Sequence, residues 1–392
     1  MAELIDTFRE RDTRDELGIG VIRDAFADML FPGTNTMQTR ARYFLFVPWI
    51  YRRLEVHGYR SVDMPKRTRK DEVALIKALM AAGETDAVIG RVSQERLQRM
   101  PSNIYWLGLG AWGIRQFDGS QPQYHRSIDS WRRHQSQKLK GDDGGAIIGA
   151  HGANWDPALP PAPEAFPEGA RFALSRLEAE YLRDKIAVAP GTRDTVLRHL
   201  VVKGEPWEGW IDYVWEHPQA DAFPAEAKKR VAHARAFSEA IHGAPLLYNL
   251  MLAELSNSES LVEEYTAELL DWRSMLEQRS EALRAWDQRA FWGLLERAGA
   301  RVHPRAHAFV REWLRFTLMA SEGHDVGADT AARRLVEQRE KRLKGGLSRF
   351  TNRRALENWS GAAGTFRLGY RWGVAQPIIQ DILGGLRRDD DA

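Results

Sequence analysis

YFLFVPWIY, residues 43–51, is the stretch that decides the fold. Its aromatic and β-branched side chains would suit a buried strand, but Pro48 cannot donate the backbone hydrogen bond that a central strand requires. The run therefore favours a buried helix that has Pro48 near its start or is broken there. Its packing residues are predicted to be Phe44, Phe46, Trp49 and Tyr51.

Helix signals continue on both sides of this run. Residues 17–30 have helical spacing, and 71–81 predict a short helix with Asp71 and Glu72 in its first turn. Hairpin signals in series and strand–helix alternation are absent. The predicted fold class is therefore mainly α and multi-helical, with a mixed N-terminal part and a Gly/Pro-rich connecting loop.

The C-terminal part carries clearer start and stop signals. Capping-box patterns begin at Ser175 and Ser260, and the second predicts one long helix that ends at Gly299. Pro245 should kink or break a helix across 225–254. Further helices are predicted to begin at Pro304 and at Thr330, the latter ending at Gly345.

Residues 141–170 contain six glycines and five prolines and are predicted to form a linker or long loop. The resulting division is 1–140 (N-terminal, mostly helical), 141–170 (loop), 171–327 (helical domain) and 328–392 (basic C-terminal helical segment).

Composition excludes several classes of site. The chain has no cysteine, which excludes disulfides, Cys-ligated zinc, a Cys nucleophile and Cys-bound iron–sulfur clusters. The first 18 residues are charged and lack a signal-peptide core, and the longest uncharged stretch, 100–114, is too short to span a bilayer. We expect a cytoplasmic protein without a membrane partner.

The charge distribution is uneven although the net charge is only +2. Residues 40–70 carry +7, 126–140 carry +4 and 333–371 carry +8, so the remainder of the chain carries −17. Such blocks suggest surfaces that meet a polyanion. The alternative is solvated helix faces whose charges are balanced by acidic neighbours in space.

The last basic block is the strongest functional candidate. Residues 341–373 interleave arginines with aromatic side chains around a Gly/Ala turn, which suits phosphate pairing and base stacking. The alternative is a helix–turn–helix whose aromatics enter the core. The candidate nucleic-acid-binding residues here are Lys341, Arg342, Lys344, Arg349, Arg353, Arg354, Arg367 and Arg371.

A second candidate precedes the aromatic run. Gln38, Thr39, Arg40 and Arg42 form a plausible phosphate-contact segment, worth retaining only if it lies beside the C-terminal arginines. In the alternative, Thr34 or Asn35 simply caps the following helix.

No catalytic signature is present, and we expect neither a metal nor a cofactor. The glycines of LGIG and LGLGAWG are interpreted as packing residues. His303 and His307 are four residues apart but lack a carboxylate pattern, and His242 is better explained as a core histidine than as a partner of Glu239 in acid–base chemistry. Asp142–Asp143 and the acidic C-terminal tail lack the context of a nuclease site.

Four segments, 15–53, 101–114, 237–255 and 358–373, together resemble an uncharacterised bacterial family, a domain of unknown function, over essentially the whole chain. The resemblance implies a gene in an antiphage defence island, near helicases and phospholipase-D-like nucleases. It implies no catalytic residues.

Three functions remain open. The first is a non-catalytic DNA-engaging or adaptor subunit of a bacterial antiphage defence complex, with DNA and a helicase or nuclease as partners. The second is a protein-interaction scaffold without nucleic-acid contact, for which fourteen tryptophans would supply partner surfaces. The third is a cryptic metal-dependent nuclease.

Overall fold

The computed structural model describes residues 16–140 and 153–388, with side chains omitted for 135–140. The predicted fold class is confirmed, since this part of the chain is mainly helical and its only β-type pairing is the isolated bridge between Arg115 and Trp155. The helices are α1 (Gly20–Leu30), α2 (Tyr43–Val56), α3 (Met64–Ala81), α4 (Pro101–Ala111), α5 (Gln121–Lys140), α6 (Arg176–Val188), α7 (Val196–Lys203), α8 (Ala225–Ile241), α9 (Gly243–Leu255), α10 (Glu259–Gln278), α11 (Ser280–Arg284), α12 (Gln288–Arg297), α13 (Pro304–Ala320), α14 (Thr330–Lys344), α15 (Arg353–Glu357) and α16 (Trp372–Leu386). Short 3₁₀ turns cover Gln94–Arg96, Pro190–Thr192, Val214–Glu216, Ala220–Ala222 and Gly345–Leu347.

The described chain forms two compact units, each built from two separate stretches. One unit, which we call the aromatic unit, comprises Phe31–Trp210 and residues 371–388. The other, the arginine unit, comprises residues 16–30 and Ile211–Tyr370. These boundaries follow contacts in space, whereas the four-part division of the sequence followed composition and stays a prediction.

Helix α2 is the core of the aromatic unit. All of Tyr43–Tyr51 is buried, and Pro48 is the sixth residue of an unbroken helix, where it lacks the N–H that would donate to the Phe44 carbonyl. Phe44 stacks on Trp112 with ring centroids 3.9 Å apart, and the Trp49 indole donates to the Pro160 carbonyl. The aromatic run is therefore a buried helix and not a strand.

The turn before α2 does not act as a helix cap. Arg42 occupies the N-cap position without a side-chain cap, so the capping interpretation of Thr34 and Asn35 was wrong. Thr34 instead donates to the Phe31 carbonyl and Asn35 to the Ile104 carbonyl, which fixes the turn against α4.

Glycines bring the same turn close to α4. A side chain on Gly108 would place its Cβ 2.3 Å from the Gly33 carbonyl oxygen. Gly33 itself has φ +85°, a conformation that favours glycine. The packing interpretation therefore fits Gly108, one of the glycines of LGLGAWG.

Helix α3 begins earlier than predicted. It starts at Met64, with Pro65 in its first turn, so Asp71 and Glu72 lie in its middle. Glu72 is 1% exposed and accepts a hydrogen bond from the Ser102 backbone N–H. Burial raises the pKa of Glu72 to about 7 despite that hydrogen bond.

The predicted capping box of α6 is confirmed. The Ser175 hydroxyl accepts from the Glu178 N–H, and the Glu178 carboxylate accepts from the Ser175 N–H. Residues 153–170, the described part of the Gly/Pro-rich stretch, contain no helix, as predicted. Asp142–Asp143 and the acidic C-terminal tail lie outside the described residues.

The helix break in the arginine unit falls where predicted. Helix α8 ends at Ile241 and α9 begins at Gly243, two residues before Pro245. The indoles of Trp272 and Trp313 donate to the carbonyls of Glu239 and Ala240 at this break. The break is therefore closed by side chains from α10 and α13.

The long helix predicted from Ser260 to Gly299 was wrong in its length. It is divided into α10, α11 and α12, and α10 is preceded by Ser258 without a side-chain cap. Asp287 caps α12 by accepting from the Ala290 N–H, which explains the restart after Trp286.

Candidate nucleic-acid interface

Helices α13 and α14 of the arginine unit form a hairpin with well-capped starts. His303 accepts from the Arg305 N–H and Pro304 opens α13, while Asp329 accepts from two N–H groups at the start of α14. The Arg339 guanidinium lies 5.5 Å from the Phe309 ring centroid. This contact places the C-terminal half of α14 beside the N-terminal half of α13, so the two helices are antiparallel.

The outward faces of this hairpin carry arginines. On α13, Arg305 and Arg311 are exposed, and on α14, Arg334 and Arg342 lie two helical turns apart on one exposed face. Arg301 is exposed just before α13. None of these five side chains has an acidic partner among the described residues. We call this set, Arg301, Arg305, Arg311, Arg334 and Arg342, the basic hairpin.

Two predicted residues on α15 are also exposed. Arg354 has no acidic partner among the described residues. Arg353 pairs with Glu357 at 2.9 Å, but with side chains 92% and 61% exposed this pair contributes little to stability. Both guanidinium groups thus remain accessible to a phosphate.

Other residues of the last basic block are paired within the arginine unit. Lys344 and Arg349 both bind Glu16, the latter at 2.9 Å, and Arg349 also donates to the Tyr248 hydroxyl. Burial alone would raise the pKa of Glu16, but the hydrogen bond from Lys344 and the charges of Arg349 and Lys344 outweigh it and hold that pKa below its usual value.

The remaining candidates of that block are also engaged. Lys341 pairs with Glu337, one turn earlier on α14. Arg367 lies 3.6 Å from Glu239 and its guanidinium is 4.3 Å from the Tyr213 ring centroid. Arg371, in the aromatic unit, donates to the Thr34 carbonyl at 2.9 Å.

The polar segment before α2 is occupied by internal bonds. Gln38 is fully buried and bridges the Gly33 carbonyl and the Asn35 N–H. The Thr39 hydroxyl donates to the Ala87 carbonyl, and its N–H donates to the Tyr105 hydroxyl. These groups hold the turn in place.

The two arginines of that segment are paired with acids of the aromatic unit. Arg40 binds Asp381 bidentately, with Nη2 2.6 Å from Oδ1 and Nε 2.9 Å from Oδ2. Asp381 also accepts a hydrogen bond from the Ala41 N–H. Burial raises the pKa of Asp381 above its usual range, although the bond from Arg40 opposes it. Arg42 binds Glu178 at 2.7 Å and the Arg171 carbonyl at 2.8 Å.

The structure thus separates the twelve predicted residues into two groups. Arg342, Arg353 and Arg354 present exposed guanidinium groups, whereas the other nine are buried or make contacts with acids or backbone carbonyls. Arg371 contacts the turn before α2 through the Thr34 carbonyl, within the aromatic unit.

Sequence reasoning missed four residues of the basic hairpin. Arg301 and Arg305 lie in the RVHPRAH stretch, which was weighed only for its histidines as metal ligands. His303 instead caps α13, and the His307 ring lies 4.0 Å from that of Trp292. The available signal was the spacing of Arg334 from Arg342, eight residues along α14, whereas Arg305 and Arg311 are six residues apart and lie on different faces of α13.

His242 was considered for acid–base chemistry with Glu239. Its Nε2 lies 2.9 Å from the Thr365 carbonyl, and burial lowers its pKa to about 4, so it is a neutral core histidine at neutral pH. Across residues 16–134 and 153–388, no group of three or more His, Asp or Glu side chains is arranged to hold a metal ion. Within the described helices, none is both long and apolar enough to cross a bilayer.

The chain belongs to a family of unknown function (DUF6361), whose model matches residues 1–385. No curated protein matches the chain, and no solved structure does.

Proposed function

We propose that this chain is a non-catalytic, DNA-engaging subunit of a bacterial antiphage defence complex, and that it holds DNA through the basic hairpin and Arg354. The observation that supports this proposal is the set of exposed guanidinium groups without acidic partners in the described part of the chain. Guanidinium groups bind phosphate oxygens bidentately and remain charged at any physiological pH.

The hairpin geometry favours phosphate contact over base readout. Because α13 and α14 are antiparallel, Arg305 and Arg342 lie at the same end of the hairpin, and Arg311 and Arg334 extend the positive charge along it. Arginines spaced along helix faces suit the repeating charges of a nucleic-acid backbone. Binding is therefore expected to depend weakly on base sequence and strongly on salt.

The defence context comes from the family resemblance alone. A helicase or a phospholipase-D-like nuclease as partner belongs to the same part of the proposal. In such an assembly this chain would hold DNA while another subunit supplies the chemistry.

The test is an anisotropy titration of labelled duplex and single-stranded DNA at about 50 and about 200 mM salt. Three phosphate contacts would weaken binding roughly 40-fold over that interval. The triple variant R305E/R334E/R342E should bind at least tenfold more weakly than the wild type at low salt. Its thermal unfolding should be unchanged, because all three side chains are exposed and unpaired with acids.

The matched control reverses three exposed cations of the aromatic unit, K66E/K70E/R126E. This control should retain binding. A larger loss in the control than in the hairpin variant would overturn the assignment of the interface, and salt-insensitive or undetectable binding would overturn the DNA role. Cleavage of DNA with magnesium or manganese would overturn the non-catalytic role.

One observation favours the scaffold alternative. Leu343 and Leu347 are 44% and 72% exposed next to Arg342, and exposed apolar side chains of this kind can form part of a protein interface. A complex with a neighbouring helicase that survives high salt and is lost in L343S/L347S, with no detectable DNA binding, would replace the DNA proposal by this one.

A further inference from the structure

A pocket in the arginine unit, lined by none of the basic hairpin residues, combines cations with aromatic side chains. Its volume is about 420 Å³, within the range of small-molecule sites. The lining includes Trp215, Phe223, His233, Arg235, Arg279 and Trp286. We call this cavity the anion pocket.

A buried carboxylate fixes two of the lining cations. Glu239, 1% exposed, accepts from Arg235 Nε at 2.7 Å and from Arg279 Nε at 3.2 Å. Both arginines therefore bind Glu239 through Nε. Their terminal Nη groups make no hydrogen bond within the described chain, although the side chains are only 35% and 33% exposed. The carboxylate thus holds two guanidinium forks at one pocket, which is the arrangement that binds an anion bidentately.

The local charge is not balanced by Glu239. Arg367 also faces this carboxylate at 3.6 Å, so three guanidinium groups share one acid. Lys228 lines the pocket together with Asp221 and Asp287, and the net charge of these seven groups is +1. Asp287 is already engaged as the cap of α12. An anion bound between Arg235 and Arg279 would neutralise this remaining positive charge.

The pocket also offers a flat apolar wall and a neutral donor. The Trp286 indole donates to His233 Nδ1 at 2.8 Å, and since an indole can only donate, the His233 proton resides on Nε2. Burial lowers the pKa of His233, which keeps the ring neutral near pH 7. Trp286 is thereby fixed as a surface for an aromatic ring.

We propose that the anion pocket binds a small aromatic molecule that carries a phosphate, the class represented by nucleoside monophosphates. The phosphate lies between the terminal groups of Arg235 and Arg279, and the planar ring lies against Trp286. Since none of these residues belongs to the basic hairpin, the site is independent of the proposed DNA interface.

Isothermal titration calorimetry tests this with AMP, GMP, CMP and UMP, and with adenosine and inorganic phosphate as fragments. At least one nucleotide should bind tenfold more tightly than either fragment, because only the nucleotide engages both the arginines and the aromatic wall. R279Q should weaken that binding at least tenfold, and R279K should restore part of it. R289Q, an exposed arginine of the nearby α12, is the matched control and should bind as the wild type does.

Absence of binding for all four nucleotides at millimolar concentration would overturn the proposal, as would wild-type affinity in R279Q with an unchanged unfolding temperature. The R305E/R334E/R342E variant should retain nucleotide binding. If that variant loses it while R279Q keeps it, the nucleotide is bound at the basic hairpin and the pocket is not its site.

Discussion

In the turn before α2, Arg40 reaches Asp381 and Arg42 reaches Glu178, whereas on the basic hairpin Arg305 and Arg342 reach no acid in the described chain. Arginine side chains are structural in the first region and remain available to a partner in the second. Around Arg40 the helices supply buried acceptors, so the guanidinium group organises the core. Around Arg342 they supply none, so the charge faces solvent. The difference shows that an arginine-rich segment indicates a binding surface only where no carboxylate or carbonyl of the fold accepts hydrogen bonds from its guanidinium groups.

The largest expected effect is a difference in the free energy of unfolding between one arginine substitution in each region. Arg40→Ala would leave Asp381, 10% exposed, without its cation, and should lower the free energy of unfolding by about 3 kcal/mol. Arg342→Ala removes an exposed side chain of the basic hairpin and should change it by less than about 0.5 kcal/mol. Urea unfolding followed by circular dichroism measures both variants. Equal costs in the two variants would contradict the contrast between the regions.

Glu72 extends the comparison to an unpaired acid. It is buried in the aromatic unit and has no ion-pair partner in the described chain. Its folded-state pKa of about 7 lies above the usual value of 4.5, so its contribution to stability is fully present below pH 4.5 and is lost as pH rises through 7. Glu72→Gln keeps an oxygen acceptor for the Ser102 N–H and should stabilise the protein by about 3 kcal/mol at pH 8.

The same variant should make little difference at pH 4, where Glu72 is protonated in both states. Thermal unfolding at the two pH values provides the measurement. A stabilisation of equal size at both pH values would show that packing, and not ionisation, explains the gain.

A smaller effect tests how closely the turn before α2 is held. Gly108→Ala would place a methyl group 2.3 Å from the Gly33 carbonyl oxygen and 2.9 Å from the Phe44 ring, and should cost about 1–2 kcal/mol after the gain in helix propensity. Gly384→Ala is the matched control in α16, where a Cβ meets nothing within 4 Å. That variant should stabilise by about 0.5–1 kcal/mol. Chemical denaturation of the pair would refute tight packing here if both substitutions stabilise.

Local sequence signals predicted much of the fold. The buried helix across the aromatic run, the capping box at Ser175 and the helix break before Pro245 all depend on backbone hydrogen bonding within a few residues, and all three predictions are confirmed. Helix α3 was placed too late because its first two turns, MPKRTRK, are polar, although Pro65 marks the true start. The break between α10 and α12 depends on Asp287, which sequence reasoning did not weigh as a cap.

The candidate site was harder to predict from the sequence, because whether an arginine is paired or exposed depends on residues that are distant in the chain. Arg40 and Asp381 are 341 residues apart, and Arg349 and Glu16 are 333 residues apart, so no local pattern shows that these cations are occupied. Arg342 was predicted, and Arg334 could have been found from it, since the two lie eight residues apart, about two helical turns, on α14. The anion pocket depends on Glu239, Arg279 and Arg367, which meet only after three distant segments pack.

The division of each unit between two stretches of chain has a consequence during synthesis. The aromatic unit includes α16, whose Asp381 holds the turn before α2, so this unit cannot be completed until the ribosome has made residues 371–388. The arginine unit likewise needs residues 16–30 and the whole of 211–370. During translation, the ring partners of YFLFVPWIY, such as Trp112 and Phe172, are therefore present once residue 172 has been made, whereas the turn before α2 lacks Asp381 until nearly the end of synthesis.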